Sequence, residues 1–525
     1  MIRQSSYFFI GFVFLMSVFI WWHTSTLMLF PEWFIDEALT IHRVNSYVHE
    51  GLAVRSLDTS VFLHKGHPLA KVPNLPYMIY SIPHAIGMDV TIDSMRAMSF
   101  AGGLLLVVTL GLIAKRAWGN IEAMFVTATA ITSFIFIDAS HLGRPDIIAI
   151  ATAYLGMLFL LYGRWSGVFF GFLSLTALGI HERAIIIVAP CFFTALFDLK
   201  NKGDRRLFFA TTACGAAVGV LFLFFVNIVP NGGLHEWVDY YVNIWNGSAI
   251  PLSRMKQTSS SFAFWQTTYE YVASVEPLVF VAFFSALLMV RKDRESLRIF
   301  FLLGMIIVLG LGLVDMPHPV KLITYYPAIW LLIARAFALS CKRIYEGRDL
   351  AISRVAFVLI ASYACGNSLS LLNFSTNIPS YCRSESDFLK AQLNQLKLNG
   401  RAVIAHDMFL LWIPDQLVGS WDQLKQHMQA TGESADVAID KFKIDALILD
   451  PKTKARMSDQ PSNVSFLENY RLPLSEVERI RTRPTSSSYF LESKCLGRVE
   501  VLLTSQQGAE ATRLPPVNAG LKSLL

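Results

Sequence analysis

The sequence predicts a polytopic α-helical membrane protein with a soluble α/β domain at its C-terminal end. Of its 525 residues, 54% are hydrophobic and only 16% are charged, whereas average soluble domains carry roughly 25% charged residues. Apolar runs of about membrane length recur as far as residue 372, and the pattern then changes. The net charge of +6 is modest and leaves no basic face once the loops are assigned, so it does not indicate nucleic-acid binding.

Eleven apolar runs are candidates for transmembrane helices. The fifth and sixth are separated only by His181-Glu182-Arg183, which predicts a tight hairpin. The runs centre on residues 7–30, 98–114, 123–137, 147–162, 167–180, 184–197, 207–229, 277–290, 299–314, 325–339 and 355–372.

The basic residues between these runs predict the orientation. With the N-terminus in the cytoplasm, sixteen Lys and Arg residues fall in cytoplasmic segments, and the short outside loops hold only Arg144, Arg183 and Lys321. The positive-inside rule favours that orientation. Chain length and the attached α/β domain favour a bacterial inner membrane, with the C-terminal domain in the periplasm.

The long segments then lie outside, at residues 31–96, 230–276 and from 375 onward. The first contains DEALTIHRVNSYVHEG and PNLPYMIYSIPHAIG, whose near-helical apolar spacing predicts helices lying in the membrane interface. A simple covering of the membrane surface is the alternative role for these helices.

The C-terminal segment reads as a separate domain, giving a predicted division into residues 1–374 and 375–525. DFLKAQLNQLKLNG predicts a helix, and RAVIAHD, KIDALILD and VEVLLTS predict strands. Cys382 and Cys495 both lie in this domain. A disulfide in an oxidising compartment and two buried thiols are both compatible with the sequence.

Four polar clusters fall on the outside rim of the predicted bundle. Ionisable side chains at a membrane edge are costly and usually line a cavity or pathway. The clusters lie in PEWFIDEALTIHR, in ASHLGRPD, at the turn between the fifth and sixth runs, and in DMPHPVKLITYYP. Their candidate site residues are Asp36, Glu37, Arg144, Asp146, His181, Arg183, Lys321 and Tyr325.

This mixture suits transfer of a group from a lipid phosphate to an acceptor outside the membrane. A carboxylate can take a proton from an attacking hydroxyl or amine. Arg and Lys can hold a phosphate and stabilise its charge when it leaves. We therefore predict Asp36 as the base, and Arg144, Arg183 and Lys321 as phosphate-binding residues.

Each of these residues also has a structural alternative. Asp36 and Glu37 suit the first turn of a helix, and Asp146 follows a proline at a helix start, where it can pair with Arg144. Further alternatives are a loop histidine for His181, a snorkelling lysine for Lys321 and an interfacial aromatic for Tyr325.

The pattern resembles the GT-C membrane glycosyltransferases of the protein O-mannosyltransferase and lipid A aminoarabinose transferase type. The acidic pair in the first outside loop, HPLAKVPNLPYMIYSIPHAIG, SHLGRPD and VKLITYYPAIWLLIARAF carry the resemblance, which covers roughly residues 1–340. One departure is the His181-Glu182-Arg183 turn, where many members have a Lys-Gly pair. Either Arg183 makes the donor contact there or the donor differs.

The resemblance implies inverting transfer from a polyprenyl-phosphate sugar donor to a glycan, lipid or protein acceptor, with Asp36 as base and Glu37 beside it. It implies no required metal or other cofactor. A divalent metal stays open because Asp146, His141 and His181 lie near the acidic pair in this topology. The alternatives to an enzyme are a transporter or flippase of a charged lipid-linked substrate and a scaffold for the C-terminal domain. A transporter predicts charges at the bilayer midplane and an internal repeat, and neither is visible here.

Overall fold

The computed structural model divides the chain into two compact units. The helical unit comprises Met1–Glu32, Tyr47–Ala53 and Pro73–Ile378, and the sheet unit comprises Trp33–Ser46, Val54–Val72 and Pro379–Leu525. The structure describes residues 2–27, 35–51, 53, 74–162, 164–198, 202–230, 232–235, 262–291, 293, 296–313, 319–348, 350–376, 394–396, 398, 402–405, 417–421, 424, 428, 432–449, 474–484, 486–493 and 497–504. Cys382, Cys495 and most of the helix predicted in DFLKAQLNQLKLNG lie outside these residues.

Helices make up the described part of the first 376 residues. They are α1 (Ile2–Thr26), α2 (Ile35–Glu50), α3 (Leu75–Tyr80), α4 (Ile82–Ala85), α5 (Ile92–Ala117), α6 (Asn120–Thr132), α7 (Phe134–His141), α8 (Asp146–Leu160), α9 (Gly167–Ile180), α10 (Ile185–Asp198), α11 (Lys202–Leu223), α12 (Phe262–Val275), α13 (Val279–Val290), α14 (Leu297–Leu313), α15 (Pro319–Leu322), α16 (Tyr326–Tyr345) and α17 (Leu350–Thr376). A π-helix, Phe224–Ile228, extends α11, and a 3-10 turn, Glu182–Ala184, joins α9 to α10.

Several of these helices have the length and composition of membrane spans. Within the described residues, three are long and apolar enough to cross a bilayer, namely Ile92–Ala117, Arg206–Ile228 and Leu350–Leu369. The number becomes five if each of two bent helix pairs counts as one span. Three shorter apolar helices accompany them, Asp146–Leu160, Gly167–Ile180 and Leu297–Gly312. A helical membrane protein is thus supported, and the count of eleven spans stays a prediction.

Two helix pairs are sharply bent, and the carboxylate of one glutamate links the two bends. The third predicted run bends by 64° between α6 and α7, and the eighth is preceded by a bend of 98° between α12 and α13. Glu276, in the second break, accepts hydrogen bonds from Ser133 Oγ (2.5 Å), Ile135 N (3.2 Å) and Tyr363 Oη (2.9 Å). Ile135 lies in the first turn of α7, where backbone N–H groups have no partner within the helix. Apolar periodicity in the sequence does not reveal such breaks.

The helices pack through small residues where their backbones approach closely. α9 packs against α8 and α11, whereas α10, across the short turn, packs against α8 and α14. A Cβ atom on Gly215 of α11 would lie 1.9 Å from the Val168 carbonyl oxygen, and one on Gly171 of α9 would lie 2.2 Å from the Thr212 carbonyl oxygen. Since backbone atoms cannot move aside, this helix pair requires glycine there.

The sheet unit contains a five-stranded sheet in the order β2-β1-β3-β5-β4. Its strands are β1 (Ala402–Ala405), β2 (Leu417–Ser420), β3 (Ala446–Leu449), β4 (Ser487–Ser493) and β5 (Gly497–Leu503). β1 pairs in parallel with β2 and β3, and β5 pairs antiparallel with β3 and β4. The three strands predicted from the sequence correspond to β1, β3 and β5.

Two helices cover the core of this sheet, α18 (Ala435–Lys441) and α19 (Leu474–Arg481). Ile439 of α18 and Ile480 of α19 join Ile404, Leu447 and Leu502 in one buried apolar cluster. Every residue of β1 and β3 is buried, as expected for central strands with both faces covered.

Candidate active site

Four of the predicted site residues meet at the beginning of α8. Asp146, its first residue, is only 3% exposed. Arg144 Nε donates to Asp146 Oδ2 at 2.9 Å, and Arg183 Nη1 donates to Asp146 Oδ1. His181 Nε2 lies 3.3 Å from the same Oδ1 atom. The structure therefore joins two of the polar clusters that the sequence presents separately.

Local backbone geometry explains how two loops deliver these side chains. Pro145 precedes α8, and Asp146 occupies its first turn, where proline and acidic residues are favoured. On the other loop, His181 is extended (φ −157°, ψ 133°) and ends α9. Its Nδ1 accepts a hydrogen bond from the Arg183 backbone N–H at 3.2 Å, which starts the 3-10 turn toward α10.

Electrostatics keep the Asp146 carboxylate ionised. Burial alone would raise the pKa of Asp146, but the charges of Arg144, His181 and Arg183 outweigh it and hold that pKa well below the usual value of 3.8. The carboxylate's stabilising contribution is therefore fully present above pH 3.8 and is lost only as the pH falls toward the lowered pKa. The Asp146 carboxylate thus lies between two guanidiniums, and guanidinium groups are suited to binding anionic ligands.

The guanidiniums of this cluster are accessible from its surface. The side chains of Arg144 and Arg183 are 14% and 21% exposed, compared with 3% for Asp146. Glu182 is 85% exposed, with Oε2 3.3 Å from His181 Nδ1. The buried carboxylate thus orients two partly accessible cations.

Asp146→Asn should lower the free energy of unfolding by on the order of 2–3 kcal/mol, less than for a fully buried pair, because the guanidiniums are partly solvated. Thermal unfolding of the purified protein in detergent measures this loss. Added inorganic phosphate should recover part of it, since a ligand that binds the folded state stabilises that state. Glu182→Gln is the control, because it removes an exposed carboxylate from the same loop. Equal shifts for the two variants would contradict the structural role of Asp146.

Lys321 and Tyr325 belong to elements beside this cluster. α15, which carries Lys321, packs against α7 and α8, the two helices that flank the Arg144 loop. Lys321 is half-buried. Tyr325 is 3% exposed and fills a notch at Gly310, where a Cβ atom would lie 2.6 Å from the Tyr325 Cβ. Tyr325 is thus a packed interior side chain, unlike an exposed interfacial aromatic.

The acidic pair lies in the first turn of α2, which begins at Ile35. Glu37 is buried, and the side chain of Asp36 lies outside the described part of the chain. Both residues fall within Trp33–Ser46, which belongs to the sheet unit. The helix predicted at this position is confirmed, and the base role of Asp36 stays a prediction.

A second charged cluster, which the sequence analysis missed, lies far from the first. Arg335 of α16 binds Glu122 Oε1 at 2.6 Å and Asp293 Oδ2 at 2.8 Å, and its guanidinium lies 5.8 Å from the ring centroid of Trp118. The two clusters lie toward opposite ends of α5. Trp118 follows the last residue of this helix, and Ser99, which binds the Arg144 backbone, lies nineteen residues earlier, about 28 Å along the helix axis. Arg335 is a charged residue within the predicted apolar run 325–339, and this feature of the sequence could have revealed the cluster.

Comparisons with known proteins identify the fold. No protein-family model and no curated protein matches the sequence. The structure is similar to ArnT from Cupriavidus metallidurans bound to undecaprenyl phosphate, with 14% identity, 93% of this chain and 97% of that chain covered, and a TM-score of 0.54.

Two structures from Archaeoglobus fulgidus are also similar. One is the oligosaccharyltransferase AglB in complex with an inhibitory peptide and a dolichol-phosphate, at 12% identity, 96% and 75% coverage and a TM-score of 0.54. The other is an oligosaccharyltransferase complex with Zn and sulfate, at 12% identity, 96% and 74% coverage and a TM-score of 0.51. The predicted resemblance is confirmed at the level of the fold. This chain has the fold of the GT-C membrane glycosyltransferases.

Proposed function

We propose that this chain is an integral membrane glycosyltransferase that transfers a sugar from a polyprenyl-phosphate donor to an extracytoplasmic acceptor. The observation that carries the proposal is the pair of partly accessible guanidiniums, Arg144 and Arg183, that the buried Asp146 binds within a GT-C fold. ArnT was solved with undecaprenyl phosphate and AglB with a dolichol-phosphate. A phosphate on a polyprenyl chain is therefore the ligand chemistry that we assign to the cluster.

The proposed reaction is a single displacement at the anomeric carbon. Asp36 takes the proton from an acceptor hydroxyl or amine, and the acceptor atom forms a bond to the anomeric carbon. The bond from that carbon to the phosphate oxygen breaks, and the configuration inverts. Arg144, Arg183 and Lys321 stabilise the charge on the departing polyprenyl phosphate, because guanidinium and ammonium groups form strong hydrogen bonds to phosphate.

The remaining site residues have supporting roles in this proposal. Asp146 binds the two guanidiniums, His181 contacts Asp146, and the buried Tyr325 lies four residues after Lys321. Glu37 stands beside the base. The proposed setting is a bacterial inner membrane with the N-terminus in the cytoplasm and residues 375–525 forming a periplasmic α/β domain.

The residues around α8 do not fit a divalent metal. Arg144 and Arg183 bind both oxygens of Asp146, and their charges disfavour a cation there. His141 Nε2 lies 2.7 Å from His23 Nδ1. Within the described residues no group of three or more His, Cys, Asp or Glu side chains forms a metal site. No proposed step uses a metal, and we expect transfer to survive EDTA. Loss with EDTA and recovery with Zn²⁺ would contradict this expectation.

The first test measures binding of undecaprenyl phosphate to the purified protein in lipid nanodiscs. Arg144→Ala is expected to weaken binding by roughly 10-fold to 100-fold, because hydrogen bonds to charged groups contribute about 1.5–3 kcal/mol. Arg348→Ala is the matched control, since Arg348 is 77% exposed and pairs only loosely with Glu346 at 3.5 Å. Unchanged affinity in Arg144→Ala would refute the phosphate assignment.

The second test names the sugar. Radiolabelled polyprenyl-phosphate sugars, offered one at a time, should give binding or slow donor hydrolysis with the native protein and neither with Arg144→Ala. Failure of every such donor would refute the glycosyltransferase proposal in favour of the transporter alternative, which a lipid-flipping assay would then examine.

A further inference from the structure

Ser99 holds both backbone groups of Arg144. Its Oγ accepts a hydrogen bond at 3.2 Å from the Arg144 N–H, which also donates to the Leu142 carbonyl oxygen at 2.7 Å, and it donates to the Arg144 carbonyl oxygen at 3.3 Å. Ser99 is fully buried on α5. A side chain on a long helix therefore helps to hold the backbone from which the Arg144 guanidinium extends.

Tyr80 completes the hydrogen bonding of Ser99. Its Oη lies 2.5 Å from Ser99 Oγ, and the tyrosine is fully buried at the end of α3. A serine hydroxyl has one proton and two acceptor lone pairs. Either hydroxyl can donate in the Tyr80–Ser99 hydrogen bond, and in both cases Ser99 links Tyr80 to the Arg144 backbone.

The other end of α3 is held to the π-helical end of α11. Asn227 Oδ1 accepts a hydrogen bond from the Leu75 N–H at 2.9 Å, in the first turn of α3. Asn74, directly before α3, donates through Nδ2 to the Val226 carbonyl oxygen at 3.1 Å. Both asparagines are buried. π-Helical segments are rare and often lie at functional sites.

We propose that α3 positions Arg144 for the donor phosphate, with Tyr80 and Ser99 as positioning residues. The helix spans six residues. The hydrogen bonds of Asn74 and Asn227 hold one end, and the Tyr80–Ser99–Arg144 hydrogen bonds hold the other. The inference rests on the proposed phosphate-binding role of Arg144. Small displacements of a charged group from a reacting phosphate are costly, so a hydroxyl that never touches the donor affects how well the donor phosphate is bound.

The test separates phosphate recognition from general folding. Dissociation constants for undecaprenyl phosphate and for undecaprenol are measured in nanodiscs. The undecaprenol constant divided by the undecaprenyl phosphate constant reports how strongly the protein prefers the phosphate. Tyr80→Phe is expected to lower this ratio by roughly three-fold to ten-fold, as for loss of one net hydrogen bond. Ser99→Ala, which removes both bonds to the Arg144 backbone, should lower it further.

Tyr363→Phe is the matched control, because it removes another buried tyrosine hydroxyl, one that donates to Glu276 at 2.9 Å. It should affect stability while leaving the phosphate preference unchanged. The inference is overturned if Tyr80→Phe and Ser99→Ala keep the native preference, or if they weaken binding of both lipids equally. A native protein with no phosphate preference, or an Arg144→Ala variant that keeps it, would refute the proposed function instead.

Discussion

Asp36→Asn is expected to abolish sugar transfer while leaving polyprenyl-phosphate binding intact. An amide cannot take a proton from the acceptor, and loss of a general base lowers kcat by typically about 10²-fold to 10⁴-fold. Affinity for undecaprenyl phosphate should stay near the native value, because the proposal assigns phosphate binding to Arg144, Arg183 and Lys321. Transfer of labelled sugar, measured beside binding of the same lipid, separates the two effects.

Glu37→Gln is the informative comparison for the base. The two carboxylates are adjacent, but Glu37 is buried, so its loss should lower stability more than kcat. Asp93→Asn serves as the control, since it removes a carboxylate from the first turn of α5 on the same predicted face. Native turnover in Asp36→Asn would refute the base assignment. Loss of turnover confined to Glu37→Gln would assign the base role to Glu37 instead.

Arg335→Leu is expected to lower the free energy of unfolding of the helical unit by about 3–5 kcal/mol. The substitution would leave Glu122 and Asp293, at 7% and 8% exposed, without their shared cation. Breaking a buried ion pair from one side carries a cost of this size. Unfolding in mixed detergent micelles, followed by helical circular dichroism, measures the change.

Arg343→Leu provides the matched control on the same helix. Arg343 donates to the Met289 carbonyl oxygen at 3.3 Å, so its loss should amount to about 1 kcal/mol, as for one hydrogen bond. Replacing Arg335, Glu122 and Asp293 together by leucine should recover much of the lost stability, because an apolar cluster can substitute for a buried ionic one. Equal effects of Arg335→Leu and Arg343→Leu would show that the cluster contributes no more than one hydrogen bond.

The sequence singled out the residues of the Asp146 cluster because ionisable residues stand out in an apolar chain. Arg144, Asp146, His181 and Arg183 were all candidates, and the structure brings them within hydrogen-bonding distance of one carboxylate. The sequence also suggested that Arg144 simply pairs with Asp146, and the structure contains this ion pair. The proposed phosphate-binding role is compatible with that contact, because the Arg144 guanidinium stays 14% exposed.

The supporting residues were invisible in the sequence. Tyr80 and Ser99 are ordinary residues of a membrane protein, and their roles depend on contacts between positions far apart in the chain. Arg335 lies inside the tenth predicted run, where a charge should have drawn attention, but its partners come from two distant positions, Glu122 in α6 and Asp293 between α13 and α14. Periodicity reports which face of a helix is buried and does not report what lies against it.

By itself, the sequence determined the class of the protein, the positions of most helices, three strands of the sheet and the residues of the Asp146 cluster. These follow from composition, apolar run length and the rarity of charge near lipid. Only the tertiary structure decided where predicted spans break, which helices pack together and which hydroxyls hold Arg144. Hydrogen bonds and packing are short-range, so they depend on the final approach of distant segments, which no local pattern in the chain encodes.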